Sequence, residues 1–121
     1  MTTNPRAALL ISRDLFFISK VTGTGASLGI RIEVAAEAQA AAQLASAEAF
    51  QCIFIDLADA GLDVSEFFAS LKEGQQATVI AFGSHVATAR LQAAREAGCM
   101  DVLPRSRFSA NLPELLEYYC E

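Results

Sequence analysis

Apolar residues along this chain fall in two rhythms. The runs Ala7-Ala8-Leu9-Leu10-Ile11-Ser12, Gln51-Cys52-Ile53-Phe54-Ile55-Asp56-Leu57 and Ala77-Thr78-Val79-Ile80-Ala81-Phe82 are almost continuously apolar and too short for helices. That pattern predicts strands buried on both faces. Met100-Asp101-Val102-Leu103 predicts one more short strand, and Ile30-Arg31-Ile32-Glu33-Val34 alternates as a half-exposed edge strand does. Helical spacing fills the intervals. Leu15, Phe16, Ile18, Val21 and Leu28 lie on one helix that Gly29 closes, while Ala35 to Phe50 is an alanine-rich second helix. Asp63 caps a third, which runs to Lys72 with Gly74 as its stop, and Gly98 ends a fourth over Val86 to Ala97. Asn111 caps the last, with Pro113 in its first turn. Five strands alternating with five helices predict a parallel sheet covered on both sides, the flavodoxin-like (βα)5 fold with strand order 2-1-3-4-5. With no repeat or internal linker, residues 1–121 read as a single domain.

Composition narrows the function. With 121 residues, 53% hydrophobic and 19% charged, the chain is long enough for one core and too apolar for disorder. A net charge of −5 and the lack of a basic stripe argue against nucleic acid. Cys52, Cys99 and Cys120 are scattered and odd in number, which predicts reduced thiols rather than a disulfide framework or a metal site. Met1 to Arg6 lacks a basic segment leading into a long apolar one, and no run approaches the ~20 apolar residues of a membrane span. A cytoplasmic protein without membrane contact is expected.

In the 2-1-3-4-5 order the C-terminal ends of the first and third strands adjoin at the switch point, where such sheets place their ligands. Asp14 and Asp56 would meet in that crevice, with Gly83, Ser84 and Arg105 on its flank. The competing reading of Asp56 is a cap for the helix that follows. Gly23-Thr24-Gly25 with Gly29 has the look of a dinucleotide loop, but a helical turn separates it from the strand that such a loop must follow directly. Flavin is disfavoured too, because the loop after the first strand has no hydroxyl-rich phosphate cradle.

An acid after the first strand, an acid ending the third, a small residue after the fourth and a cation after the fifth resemble the receiver domain of two-component response regulators. Ala94-Arg95-Glu96-Ala97-Gly98-Cys99 is similar to the family's passage from fourth helix to fifth strand. The resemblance implies that Asp56 matches the phosphoacceptor and Arg105 the strand-5 lysine. It further implies that Arg13-Asp14 stands where two acids hold Mg²⁺, and that the phosphate-contacting hydroxyl falls on Gly83, with Ser84 and Thr88 nearby. Ser106 replaces the family's proline, and Val102 its aromatic switch residue. Asp14 and Asp56 against Arg13 and Arg105 cancel without a metal, so Asp14 and Asp56 form a weak or absent Mg²⁺ site opposed by Arg13. Arginine for lysine also substitutes a rigid planar fork for a mobile point charge.

The expectation is a degenerate, non-enzymatic pseudo-receiver with no cofactor or only weakly bound Mg²⁺. It would act through a protein partner or a homodimer on the face of the fourth helix, fifth strand and last helix, where Arg90, Gln92, Arg95, Glu96, Tyr118 and Tyr119 lie. The alternative is a working receiver phosphorylated on Asp56 by a histidine kinase. In that case Arg13 points to solvent, or Ser84 supplies the hydroxyl through a shifted loop. A small α/β enzyme using Asp14 and Asp56 as acid and base is the third reading. His85 is read as an exposed loop residue, and Asp59 as a turn or cap.

Overall fold

The computed structural model describes residues 6–59, 61–71 and 77–120. Five strands, β1 (Ala7–Ile11), β2 (Arg31–Ala35), β3 (Cys52–Asp56), β4 (Thr78–Gly83) and β5 (Asp101–Pro104), form one parallel sheet in the order β2-β1-β3-β4-β5. The expected order is the one found. Strands β1 and β3 are buried along their whole length, and β2, whose sequence alternates, is an edge strand.

Alternation along the strands divides the core in two. Leu9, Ile11, Ile53, Ile55, Val79, Ala81 and Val102 face helices α2 (Ala38–Ala47), α3 (Val64–Ser70) and α4 (Thr88–Ala97). Helix α2 buries Ala41, Ala42 and Ala45 there, and side chains that small let its backbone lie close to the sheet. Leu10, Phe54, Ile80, Phe82 and Leu103 face the opposite side, toward α1 (Leu15–Leu28), α5 (Arg105–Ala110) and α6 (Leu112–Tyr119). Large rings fill this layer: Phe82 and Phe108 stack with centroids 4.0 Å apart, and Phe17 and Phe54 close around them.

Helix ends follow local chemistry. Asp14 caps α1 by accepting from the amides of Phe16 and Phe17, and Gly29 ends it in the left-handed region at φ 73°. Gly25 lies where α1 crosses β2. A Cβ there would sit 2.5 Å from Ile32 Cγ1 and 2.9 Å from the Ile30 carbonyl. Asp63 caps α3 as expected, through the Glu66 amide, and Gly98 ends α4. The stop expected at Gly74, with the last residues of that helix, lies outside the described residues.

Two expectations need correction. The segment after β5 is two helices rather than one, broken at Asn111, whose side chain makes no capping hydrogen bond. Pro113 explains the break: a continuous helix would need its missing N–H, and its ring would collide with the preceding turn. Helix α2 is also shorter than its alanine content suggests, because Ala35 extends β2 and pairs with Ile11.

Candidate functional site

The register of the two central strands builds the site. Ile11 pairs with Ile55, so the next residues of the two chains, Ser12 and Asp56, emerge side by side at the C-terminal edge. Both are buried, Asp56 to 3% exposure. The Ser12 hydroxyl donates to Asp56 Oδ2 at 2.8 Å and accepts from the Asp14 amide at 3.0 Å. The other Asp56 oxygen, Oδ1, accepts from the Ala58 amide at 2.9 Å, which turns the chain out of β3. Asp56 is not the helix cap of the competing reading, since Asp63 caps α3; it shapes the following turn and is a buried carboxylate at the switch point.

Asp14 reaches this centre through its backbone. Its Oδ1 accepts from the amides of Phe16 and Phe17 at 2.9 and 3.3 Å, so the carboxylate is committed to the helix cap. The two residues between the end of β1 and that cap are Ser12 and Arg13. Arg13 turns outward, with its side chain 61% exposed. Its Nε donates to the Ala36 carbonyl at 3.1 Å and lies 3.5 Å from Asp59 Oδ2. Arg13 thus reaches the Ala36 carbonyl and Asp59, not the two acids expected to flank it. Asp59 also accepts from the Gly61 amide, which gives it the expected turn role.

The strand-5 side forms a separate cleft of about 480 Å³, lined by Phe16, Phe17, Ser84, His85, Arg105, Ser106 and Ser109. Arg105 opens α5 directly after Pro104, and its guanidinium carbon lies 5.7 Å from the centre of the Phe17 ring. Its Nε is buried and, among the described residues, has no hydrogen-bond partner. Ser84 shares this cleft and accepts weakly from the Val86 amide at 3.4 Å, while His85 is exposed at its rim. The structure thus brings Ser84 and Arg105 together. Asp56 is not among the residues lining that cleft.

Gly83 fills the hydroxyl position of the resemblance, and the space beside it is already occupied. A Cβ there would lie 3.0 Å from Leu57 Cβ and 3.4 Å from Leu57 Cδ1.

Sequence reading missed Ser12 and misread Arg90. A polar residue ending an apolar run beside another such run was the available signal for Ser12. Arg90 is half-buried rather than part of a free polar face: its Nε donates to the Leu57 carbonyl at 2.8 Å, and its Nη2 to Asp59 at 3.0 Å and Leu62 at 3.4 Å.

The acids expected to hold a divalent metal are already engaged: Asp14 caps α1, and both Asp56 oxygens accept hydrogen bonds. A hard cation of this kind is held by carboxylate and carbonyl oxygens. Among the described residues, no group of three or more His, Cys, Asp or Glu side chains is placed to hold one. The nearest partner of Asp56 is a hydroxyl that donates to it.

No protein-family model matches the chain, and no curated protein sequence matches it. Solved structures do. The receiver domain of a sensor histidine kinase from Pseudomonas aeruginosa, crystallised with magnesium in its active-site cleft, is 19% identical with a TM-score of 0.79, over 97% of this chain and 98% of that one. A response regulator from Thermotoga maritima is 14% identical with a TM-score of 0.78, over 97% and 98% of the two chains. One from Hahella chejuensis is 14% identical with a TM-score of 0.82, over 94% of each. The strand order 2-1-3-4-5, the buried aspartate ending the central strand and these likenesses along nearly the whole chain give it the receiver-domain fold of response regulators.

Proposed function

We propose that this chain is a pseudo-receiver, a signalling module that works through protein contacts while Mg²⁺-dependent phosphorylation of Asp56 is impaired. One observation carries the reading: the side chain held against Asp56 is the Ser12 hydroxyl, in a place where a metal site needs an anionic oxygen. Phosphoryl transfer to a carboxylate relies on cations to offset charge on the transferring oxygens. Here both Asp56 oxygens already accept hydrogen bonds and the Asp14 carboxylate caps a helix, whereas Arg13, turned outward toward Asp59, does not oppose a metal and lends this reading no support. Arg105 rests on an aromatic face, with no ion pair to a carboxylate among the described residues. The leucine packed against Gly83 supports the same reading, since it leaves little room for a phosphate-contacting side chain there.

Such a module has no catalytic turnover and belongs in the cytoplasm. Its partner, or a second copy of the chain, binds the face of α4, β5 and α6. Met100 is largely exposed there and Arg95, Gln92 and Glu96 supply polar contacts, whereas Tyr118, expected on this face, lines a groove with Leu28 of α1 instead. Thermal melts with and without millimolar Mg²⁺ test the metal argument. The wild-type Tm stays constant. The double variant Ser12→Asp/Arg13→Asp melts lower than wild type without metal, because carboxylates crowd Asp56, and gains Tm as Mg²⁺ is added. A wild-type Tm that rises with Mg²⁺ as far as the variant's would favour the alternative, a working receiver phosphorylated on Asp56 by a histidine kinase.

A further inference from the structure

We propose that Cys52 and Cys120 form an oxidation site, at which a peroxide joins them in an intramolecular disulfide that fastens the end of α6 to the central strand. Cys52 is the first residue of β3, and Cys120 is the C-cap of α6. They are 68 positions apart, yet their sulfurs lie 3.0 Å from each other and both residues are fully buried. A disulfide needs the sulfurs about 2.05 Å apart, so closure asks for a shift of about 1 Å in two side chains that already face each other. Both belong to the layer of Phe54, Phe108 and Leu116, which holds them in place.

The third thiol does not compete. Cys99 packs on the opposite side of the sheet, against the layer of Val79 and Val102, and burial pushes its thiol up to about 11. The two paired sulfurs have unequal roles. Either sulfur can donate in this contact; it raises Cys52 and lowers Cys120, which burial raises and the charge of Arg6 lowers. Cys120, at the end of a helix, is the sulfur that a peroxide reaches first, and Cys52, inside the sheet, is the one that then attacks it. Access comes through α6. Cys120 sits at the last turn of an eight-residue helix, and opening that turn bares the sulfur while the sheet stays paired.

The chemistry balances in two steps. The Cys120 thiolate attacks hydrogen peroxide; an S–O bond forms, the O–O bond breaks and hydroxide leaves, giving a sulfenic acid. When the turn closes, the Cys52 sulfur attacks Cys120; the S–S bond forms, the S–O bond breaks, and the oxygen leaves as water with the Cys52 proton. The hydroxide takes up the proton that Cys120 released on ionising, so two thiols lose two electrons and one peroxide becomes two waters.

The test exposes the full chain to hydrogen peroxide, then counts thiols in denaturant and maps peptides without reductant. The thiol count falls from three to one. A peptide pair joins Cys52 to Cys120, and Tm rises by roughly 10 °C, reversibly with dithiothreitol. Cys99→Ser leaves the cross-link intact, and Cys120→Ser abolishes it. Should Cys120→Ser fail to fold, the wild-type peptide map decides alone. A count that stays at three, Cys120 carried to sulfinic acid without a link, or a bond that includes Cys99 overturns the proposal.

Discussion

Replacing Arg90 with alanine removes a clamp, not a surface charge. Its guanidinium spans three carbonyls, those of Leu57, Asp59 and Leu62, and so ties the loop after β3 to the first turn of α4. Two of the bonds are short, at 2.8 and 3.0 Å, and the third is marginal at 3.4 Å. A hydrogen bond to a charged group contributes about 1.5–3 kcal/mol. Water replaces part of that at the half-buried Asp59, but reaches the buried Leu57 poorly. The expected loss is about 2–3 kcal/mol, or a fall in Tm of roughly 10 °C. Urea unfolding of Arg90→Ala beside Arg95→Ala measures it, because Arg95 is exposed on the same helix and should change stability by less than about 0.5 kcal/mol. Arg90→Lys recovers less than half of the loss, since one ammonium cannot span acceptors that a planar fork reaches together. Equal and small losses for Arg90→Ala and Arg95→Ala would refute the clamp. Tests of the α4 face as an interface therefore belong at Arg95.

Other predictions separate local propensity from packing. Gly23→Ala stabilises by roughly 0.5–1 kcal/mol, because nothing lies within 4 Å of a Cβ there and alanine is the better helix former. Gly25→Ala, two residues on, destabilises by about 1–3 kcal/mol against the Ile30 carbonyl and Ile32; denaturant melts of the pair show opposite signs. Stability also falls at alkaline pH. The Cys99 thiol is raised to about 11 in the fold, so the unfolded chain releases its proton first, and the stability present below an ordinary thiol pKa of about 8.5 is lost as pH rises toward 11. That loss is at most about 2 kcal/mol for this half-buried group, and Cys99→Ala flattens the corresponding part of the pH profile.

Sheet order and the place of Asp56 at the end of the central strand were legible because burial writes itself into sequence. Continuous apolar runs marked β1, β3 and β4 as interior, alternation marked β2 as an edge, and Asp56 marked the end of the central strand. Contacts between distant segments were not legible. Helical spacing put Arg90 on a polar face because the loop carbonyls it binds carry no side-chain signal. The alanines that open the second helix in the sequence include Ala35, which β-pairing with Ile11 claims instead. Cys52 and Cys120 read as scattered because only the packing of α6 on the sheet brings their sulfurs together. Ser12 was within reach. Once β1 and β3 are set side by side, the polar residue after Ile11 stands beside Asp56, and it changes the reading of the Arg13-Asp14 pair.

The claim that this receiver fold operates without phosphorylation is tested most directly by intact mass after incubation with acetyl phosphate and millimolar Mg²⁺. The wild-type chain, with Ser12 bonded to Asp56 and no metal-holding cluster among the described residues, is expected to keep its unmodified mass throughout. Addition of one phosphoryl group that is lost in Asp56→Asn, and that requires Mg²⁺, would contradict the account and make this chain a working receiver.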